Sequence, residues 1–196
     1  MADCLVFASG RGSNFIAIHE HLKTTNHGIG ALVCDKPEAG AITYAREQKI
    51  PVLYAQYPAP GSAGREAGER SILEGIAKLS LAPKLLVLAG FMRVLSAAFV
   101  DRFAGKIINI HPSLLPKYAG AHGIAESIAS GDDRLGITIH YVDHGVDTGP
   151  IILQRSFERI PGESPEEEER RIHVLEHSEY PLVVAALLDH TEERSV

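Results

Sequence analysis

The sequence predicts an α/β fold in which a mainly parallel sheet is covered by helices on both faces, and three observations predict it. Short apolar runs alternate with longer helical segments along the chain, the pattern of strand–helix–strand units joined by right-handed crossovers. Several runs, Cys4–Ala8 and Leu85–Leu88 among them, are apolar at every position, as strands buried on both faces require. A length of 196 residues, 45% of them hydrophobic, suffices for one core without disulfide staples.

The first strand is expected over Cys4–Ala8; it runs into Ser9-Gly10-Arg11-Gly12-Ser13-Asn14, and a helix then spans Asn14–Lys23. Strands at Ala31–Cys34 and Val52–Tyr54 bracket a helix over Ala39–Gln48. Pro58–Gly64, rich in proline, glycine and small residues, reads as a flexible loop. It leads into a helix over Arg65–Leu79, a strand over Leu85–Leu88 and a helix over Ala97–Phe103. The strand Ile107–Ile110 should end near His111, because Pro112 lacks a backbone donor and disfavours helix at the residue before it. A helix over Ile124–Ser130, strands over Gly136–Tyr141 and Ile151–Gln154, and a helix over Pro165–Leu188 complete the chain. A loop instead of a helix joins the last two strands, so an antiparallel element is expected there. The layout is Rossmann-like, with residues 1–196 expected to form one domain.

Composition excludes several function classes. A net charge of −6 spread along the chain offers no basic stripe, and the absence of Trp leaves no stacking platform, so no nucleic-acid partner is expected. No stretch approaches the roughly 20 apolar residues of a membrane span. Asp3 stands where a signal peptide needs a basic segment, so a cytoplasmic protein is expected. Cys4 and Cys34 lie in apolar runs and read as buried hydrophobes in a reducing compartment. His19-Glu20-His21 has no i, i+4 ligand pair, so no metal is expected. The charge run Glu166–Arg171 reads most simply as a solvated helix face.

Two blocks carry most of the chemistry. Ile107–Pro116 reads Ile-Ile-Asn-Ile-His-Pro-Ser-Leu-Leu-Pro; Asn109 and His111, two apart on a strand, share a face at its carboxyl tip, the edge where open α/β sheets bind ligands. The pair could simply close a strand. Asp143–Pro150, Asp-His-Gly-Val-Asp-Thr-Gly-Pro, changes the balance: its loop could bring Asp147 to the same edge, where a carboxylate orients an imidazole and favours its charged form. Amide, imidazolium and carboxylate make an electrophile-activating site without a nucleophile of its own. Ser113 lacks the surroundings of a nucleophile elbow, so direct transfer between two bound substrates fits better than an acyl-enzyme. The turn at Gly12, Ser13 and Asn14 could be a capped tight turn or, at a helix N-terminus after the first strand, a phosphate cradle.

With these residues in view, the chain resembles the phosphoribosylglycinamide formyltransferases, a folate-dependent family of purine synthesis. The likeness rests on Ser9–Asn14, Leu88–Ser96 (Leu-Ala-Gly-Phe-Met-Arg-Val-Leu-Ser), Asn109–Tyr118, Asp143–Pro150 and Glu176–Val183. It implies formyl transfer from 10-formyltetrahydrofolate, a co-substrate, to the amine of glycinamide ribonucleotide through a tetrahedral intermediate, by a monomer or weak homodimer. It implies Asn109, His111 and Asp147 as catalytic residues, and Gly12, Ser13, Asn14 and Glu176 as contacts of the ribonucleotide. Folate contacts would come from Arg65, Met92, Arg93, Val94, Leu95, Ala121, His122, Gly123, Ile124 and Asp143, with Asn109 and Asp147. Three departures stand out. Tyr118-Ala-Gly-Ala-His-Gly-Ile replaces the family's Tyr-Pro-Gly-Leu-His-Thr-His type, so Gly123 adds freedom. The stretch before Arg65 is richer in proline and glycine, and the chain ends at Val196 without the extra strands many relatives carry.

Three alternatives remain on the sequence alone. A formyltetrahydrofolate deformylase would use the same residues to activate water, but such enzymes carry an N-terminal regulatory domain. Methionyl-tRNA formyltransferases share the string and add a C-terminal RNA-binding domain. A non-catalytic folate or nucleotide binder would have no need of all three of Asn109, His111 and Asp147.

Overall fold

The computed structural model of the chain describes residues 2–58 and 61–193. Its strands are β1 (Cys4–Ala8), β2 (Ile29–Cys34), β3 (Val52–Tyr54), β4 (Leu85–Leu88), β5 (Ile107–His111), β6 (Arg134–Tyr141) and β7 (Ile151–Glu158). Its helices are α1 (Ser13–Leu22), α2 (Gly40–Glu47), α3 (Gly61–Lys78), α4 (Ala97–Arg102), α5 (Gly123–Ala129) and α6 (Pro165–Glu193). The strands form one sheet in the order β3-β2-β1-β4-β5-β6-β7. The strands from β3 to β5 are parallel, as expected.

The antiparallel part holds β6 and β7 and begins one strand earlier, with β6 antiparallel to β5 as well. The cause lies in the connection. α5 has 7 residues and is about 10 Å long, so the chain returns from the end at which β5 finishes without recrossing the sheet.

β1 shows why both faces are covered. Cys4, Val6 and Ala8 join a core with Phe15 and Ile18 of α1 and Ile172, Tyr180 and Val184 of α6. Leu5 and Phe7 join a second core on the opposite face with Ile72 of α3 and Phe99 of α4, as the period of two along a strand dictates. Both cysteines are free and buried, as their apolar surroundings suggested. Tyr180 is fully buried, and its hydroxyl reaches the carbonyls of Leu88 at 2.9 Å and Ile108 at 3.3 Å, tying α6 to β4 and β5. Tyr180→Phe is therefore expected to lower unfolding free energy by about 1 kcal/mol in urea titrations, because two buried carbonyls lose their donor. An unchanged midpoint would show that those carbonyls find another partner.

Two expectations need correction. The segment read as a loop is helical from Gly61 onward; residues 59 and 60 lie outside the described residues. Further along α3 two glycines permit close packing: a Cβ on Gly68 would stand 2.6 Å from the Tyr57 ring, just after β3, and one on Gly75 would stand 2.7 Å from Leu53 Cδ2 of β3. Packing here overrides weak helix propensity. The run Glu166–Arg171 is not simply solvated either. Glu168 is buried and takes a two-pronged bond from Arg159, at 2.6 and 2.9 Å, while Arg171 lies over the Phe157 ring at 4.0 Å.

The strand order reverses direction between β1 and β4, which splays the loops leaving their carboxyl ends and opens a crevice. Those loops are stitched together: Ser9 N donates to Gly90 O at 3.1 Å, and Met92 N donates to Ser9 Oγ at 2.9 Å.

Candidate active site

A cleft of about 1030 Å³ lies along the carboxyl ends of β1, β4 and β5, large enough for a drug-sized ligand and more. Gly12, Ser13 and Asn14 form one part of its wall, Met92–Leu95 another, and Ala121–Ile124 with Asp143 and Asp147 a third. Glu176 reaches it from α6. Arg65, half-buried on α3, is not among the residues that line it.

β5 delivers Asn109 and His111 to the cleft as their i, i+2 spacing required. Asp147 arrives from the loop after β6 with a left-handed backbone, φ 56°, a conformation that aspartate tolerates better than most residues. Its Oδ2 lies 3.2 Å from His111 Nδ1 and accepts from Gly120 N at 2.8 Å. Its Oδ1 lies 3.4 Å from Asn109 Nδ2. Burial pushes the Asp147 carboxyl up, but the His140 contact, the Gly120 amide and the charges of His111 and His140 outweigh it and hold the group below the usual carboxylate range. Asp147 therefore stands ionised between the amide and the imidazoles.

His140 escaped the reading of the sequence. An imidazole inside the apolar strand Gly136–Tyr141 has no local pattern to mark it; only the β5–β6 register, which sets Asn109 opposite His140, brings it in. Its Nδ1 bonds the Tyr141 carbonyl at 2.8 Å. Its Nε2 lies 3.2 Å from Asn109 Nδ2 and 3.5 Å from Asp147 Oδ1. The neutral ring accepts from Asn109 and sets its amide plane, whereas a charged ring donates to Asp147 and leaves that plane to the Asp147 contact.

His111 is 4% exposed, and both of its ring nitrogens meet oxygen. Nε2 bonds the Tyr118 carbonyl at 2.7 Å while Nδ1 faces Asp147, a pairing in which only a doubly protonated ring donates twice. Gly123 packs on this contact. A Cβ there would stand 2.7 Å from His111 Nε2 and 3.0 Å from Tyr118 O, so its place in the loop is one of close approach and not merely of freedom.

Asp143 shapes the loop that carries Asp147. Its Oδ1 accepts from Thr148 Oγ1 at 2.7 Å and Gly145 N at 2.9 Å, and the Thr148 bond leads the causes that lower its pKa. At the far part of the cleft, Asn14 Nδ2 donates to Glu176 Oε2 at 3.1 Å, joining the start of α1 to the middle of α6.

Residues 2–184 match the family model described as formyl transferase. The chain belongs to the formyl transferase family. Within this family it is 43% identical to phosphoribosylglycinamide formyltransferase of Bacillus subtilis over 185 residues, 93% of each chain. It is 39% identical to the Escherichia coli enzyme of the same name, over 94% of this chain and 86% of that one. Its fold superposes on glycinamide ribonucleotide transformylase 1 from Geobacillus kaustophilus with a TM-score of 0.86 at 39% identity, covering 96% of this chain and 99% of that one.

Proposed function

We propose that the chain transfers the formyl group of 10-formyltetrahydrofolate to the amine of glycinamide ribonucleotide in purine synthesis. The observation that carries this reading is the Asn109–His111–Asp147 cluster standing in a cleft lined, among the described residues, by a single hydroxyl, Ser13 at the α1 turn, and by no cysteine or lysine. Ser113 is fully buried and donates to the Lys117 carbonyl, and both cysteines sit in the core. The nucleophile must arrive with a substrate, and the ribonucleotide's amine is one. Membership of the formyl transferase family supplies the formyl-folate side of the reaction.

The first-turn N–H groups of α1 at Ser13 and Asn14 have no intrahelical acceptor and belong to residues that line the cleft, which suits them to the phosphate. Glu176, which lines the cleft beside that turn, is the carboxylate we assign to the ribose hydroxyls. The Met92–Leu95 segment, exposed at Met92 and Val94, and the Ala121–Ile124 loop offer apolar surface and backbone edges to a flat pterin.

In the reaction the amine nitrogen bonds to the formyl carbon, the carbonyl electrons move onto oxygen, and their return expels N10 of the folate, which takes up the proton the amine loses. Asn109 frees an N–H for the developing oxyanion by giving up its long, 3.4 Å contact with Asp147 Oδ1. His111 donates from Nε2 once the Tyr118 carbonyl gives way, one oxygen acceptor replacing another at no loss in bond count. Each such donor is worth about 3–4 kcal/mol in the transition state. Asp147 holds the imidazolium in place, and a water it orients carries the proton from amine to N10. Alignment of the two substrates contributes much of the rest.

Purified protein supplied with 10-formyltetrahydrofolate should release tetrahydrofolate only when glycinamide ribonucleotide is present, with formylated product in equal amount. Equal donor loss without the acceptor would instead identify a hydrolase, and binding of both ligands without turnover would identify a binder.

A further inference from the structure

α6 presents a further imidazole to the cleft, three residues before Glu176. His173 Nδ1 lies 2.9 Å from Glu176 Oε2, and its Nε2 lies 3.5 Å from Glu169 Oε1. The oxygen it meets on Glu176 is the one that Asn14 Nδ2 also reaches, at 3.1 Å. Glu176 is 4% exposed, so its charge is poorly screened, and it stands beside the α1 turn suited to a phosphate. A buried carboxylate next to an anion site raises the cost of filling that site unless a cation stands between them.

We propose that His173 is a positioning residue for the ribonucleotide: its imidazolium holds Glu176 against Asn14 and offsets the carboxylate that would repel the substrate's phosphate, so ribonucleotide affinity follows the charge of His173. The inference rests on the proposed function, since it takes glycinamide ribonucleotide as the ligand. The bond to Glu176 is the main cause raising the His173 pKa; burial opposes it, and the charges of Glu176 and Glu169 add to it. His177, stacked on His173 with ring centroids 6.3 Å apart, is pushed down by burial, so one ring of the stack carries the charge. Other charged groups on the wall are Arg11 beside α1, Arg93 after β4, Asp143 and Asp147 after β6, Arg159 after β7, and Glu166 and Glu169 of α6. Arg159 is committed to Glu168. Because the folded pKa of His173 is raised above its ordinary value, its charge is fully present below the ordinary imidazole range and is lost as pH rises through the raised pKa.

The test is calorimetric titration of the full chain with glycinamide ribonucleotide between pH 6.5 and 8.5, for the wild type, His173→Gln and His173→Lys. Comparison with the lysine variant removes the substrate's own ionisations. Wild-type affinity should fall about fivefold relative to His173→Lys across this range, the upper end for a partly exposed ion pair. His173→Gln should bind about fivefold more weakly than wild type at pH 6.5 and converge with it at pH 8.5. KM for the ribonucleotide should follow, while kcat and KM for the formyl donor stay within about twofold. A wild type that tracks His173→Lys at every pH overturns the inference. So does a folded His173→Gln that binds like wild type at pH 6.5. If His173→Gln fails to fold, the wild-type and lysine profiles decide alone. A wild type that binds no ribonucleotide at any pH overturns the functional reading itself, a result distinct from binding that ignores His173.

Discussion

Replacing Asp147 with asparagine is expected to lower kcat for formyl transfer by a factor of about 10²–10⁴, while the ribonucleotide Kd changes by no more than about twofold. Asparagine keeps the volume and tolerates the left-handed backbone at φ 56°, so the loss isolates charge. Asp147 Oδ2 serves His111 Nδ1 and Gly120 N together, and Oδ1 faces Asn109 and His140. An amide cannot accept on both sides. Turned with its oxygen to Gly120 and His111, it presents NH₂ to the Asn109 amide; turned the other way, it sets donor against donor at His111. The imidazole then loses the carboxylate that orients it, and the oxyanion loses a held donor. His111→Ala should lose a comparable factor, because residues that act as a unit fail together. The double variant should be little worse than either single one. Steady-state rates at saturating donor and acceptor, with calorimetry for binding, check this. A single variant with near-normal kcat would remove the cluster from the chemistry.

The parts of this site legible in the sequence are those fixed by local rules. Asn109 and His111 share a face because strands have a period of two, and Pro112 places the tip. The Asp143–Pro150 loop announces itself by two glycines around an aspartate. What escaped depends on contacts between distant residues. His140 is separated from Asn109 by 31 positions, and only a register set by the turn of the chain through α5 brings them within bonding distance. The Tyr118 carbonyl that holds His111 is a backbone atom, with no side-chain signature. The fold shows the same division. The β-α alternation and the antiparallel end follow from run lengths and connections, whereas the close packing of α3 at Gly75 and the burial of Glu168 depend on partners, Leu53 of β3 and Arg159, that no local window contains.

Gly149→Ala is expected to have a large effect of the opposite kind, on architecture first and chemistry second. A Cβ at Gly149 would stand 1.9 Å from Tyr141 O and 2.9 Å from Tyr141 C. These are backbone atoms at the end of β6, and they cannot rotate aside. The carbonyl is already engaged by His140 Nδ1 at 2.8 Å, and Tyr141 N donates to Pro150 O at 2.9 Å. The methyl must therefore part β6 from the entry to β7, at a cost of about 1–3 kcal/mol, and the Asp143–Thr148 loop moves with it. Asp147 and His140 are displaced together, so turnover should drop by at least about tenfold even in the fraction that remains folded. Gly145→Ala makes the comparison. Its Cβ meets Thr148 Oγ1 at 2.0 Å, the end of a side chain that can turn at the expense of its bond to Asp143, so its stability loss should be the smaller of the two. Urea midpoints and kcat measured on both variants separate the cases. If Gly149→Ala matched wild type in both, the loop would be yielding where the β6 backbone is drawn as fixed, and the placement of Asp147 would owe more to Asp143 and Gly120 than to the close crossing at Gly149.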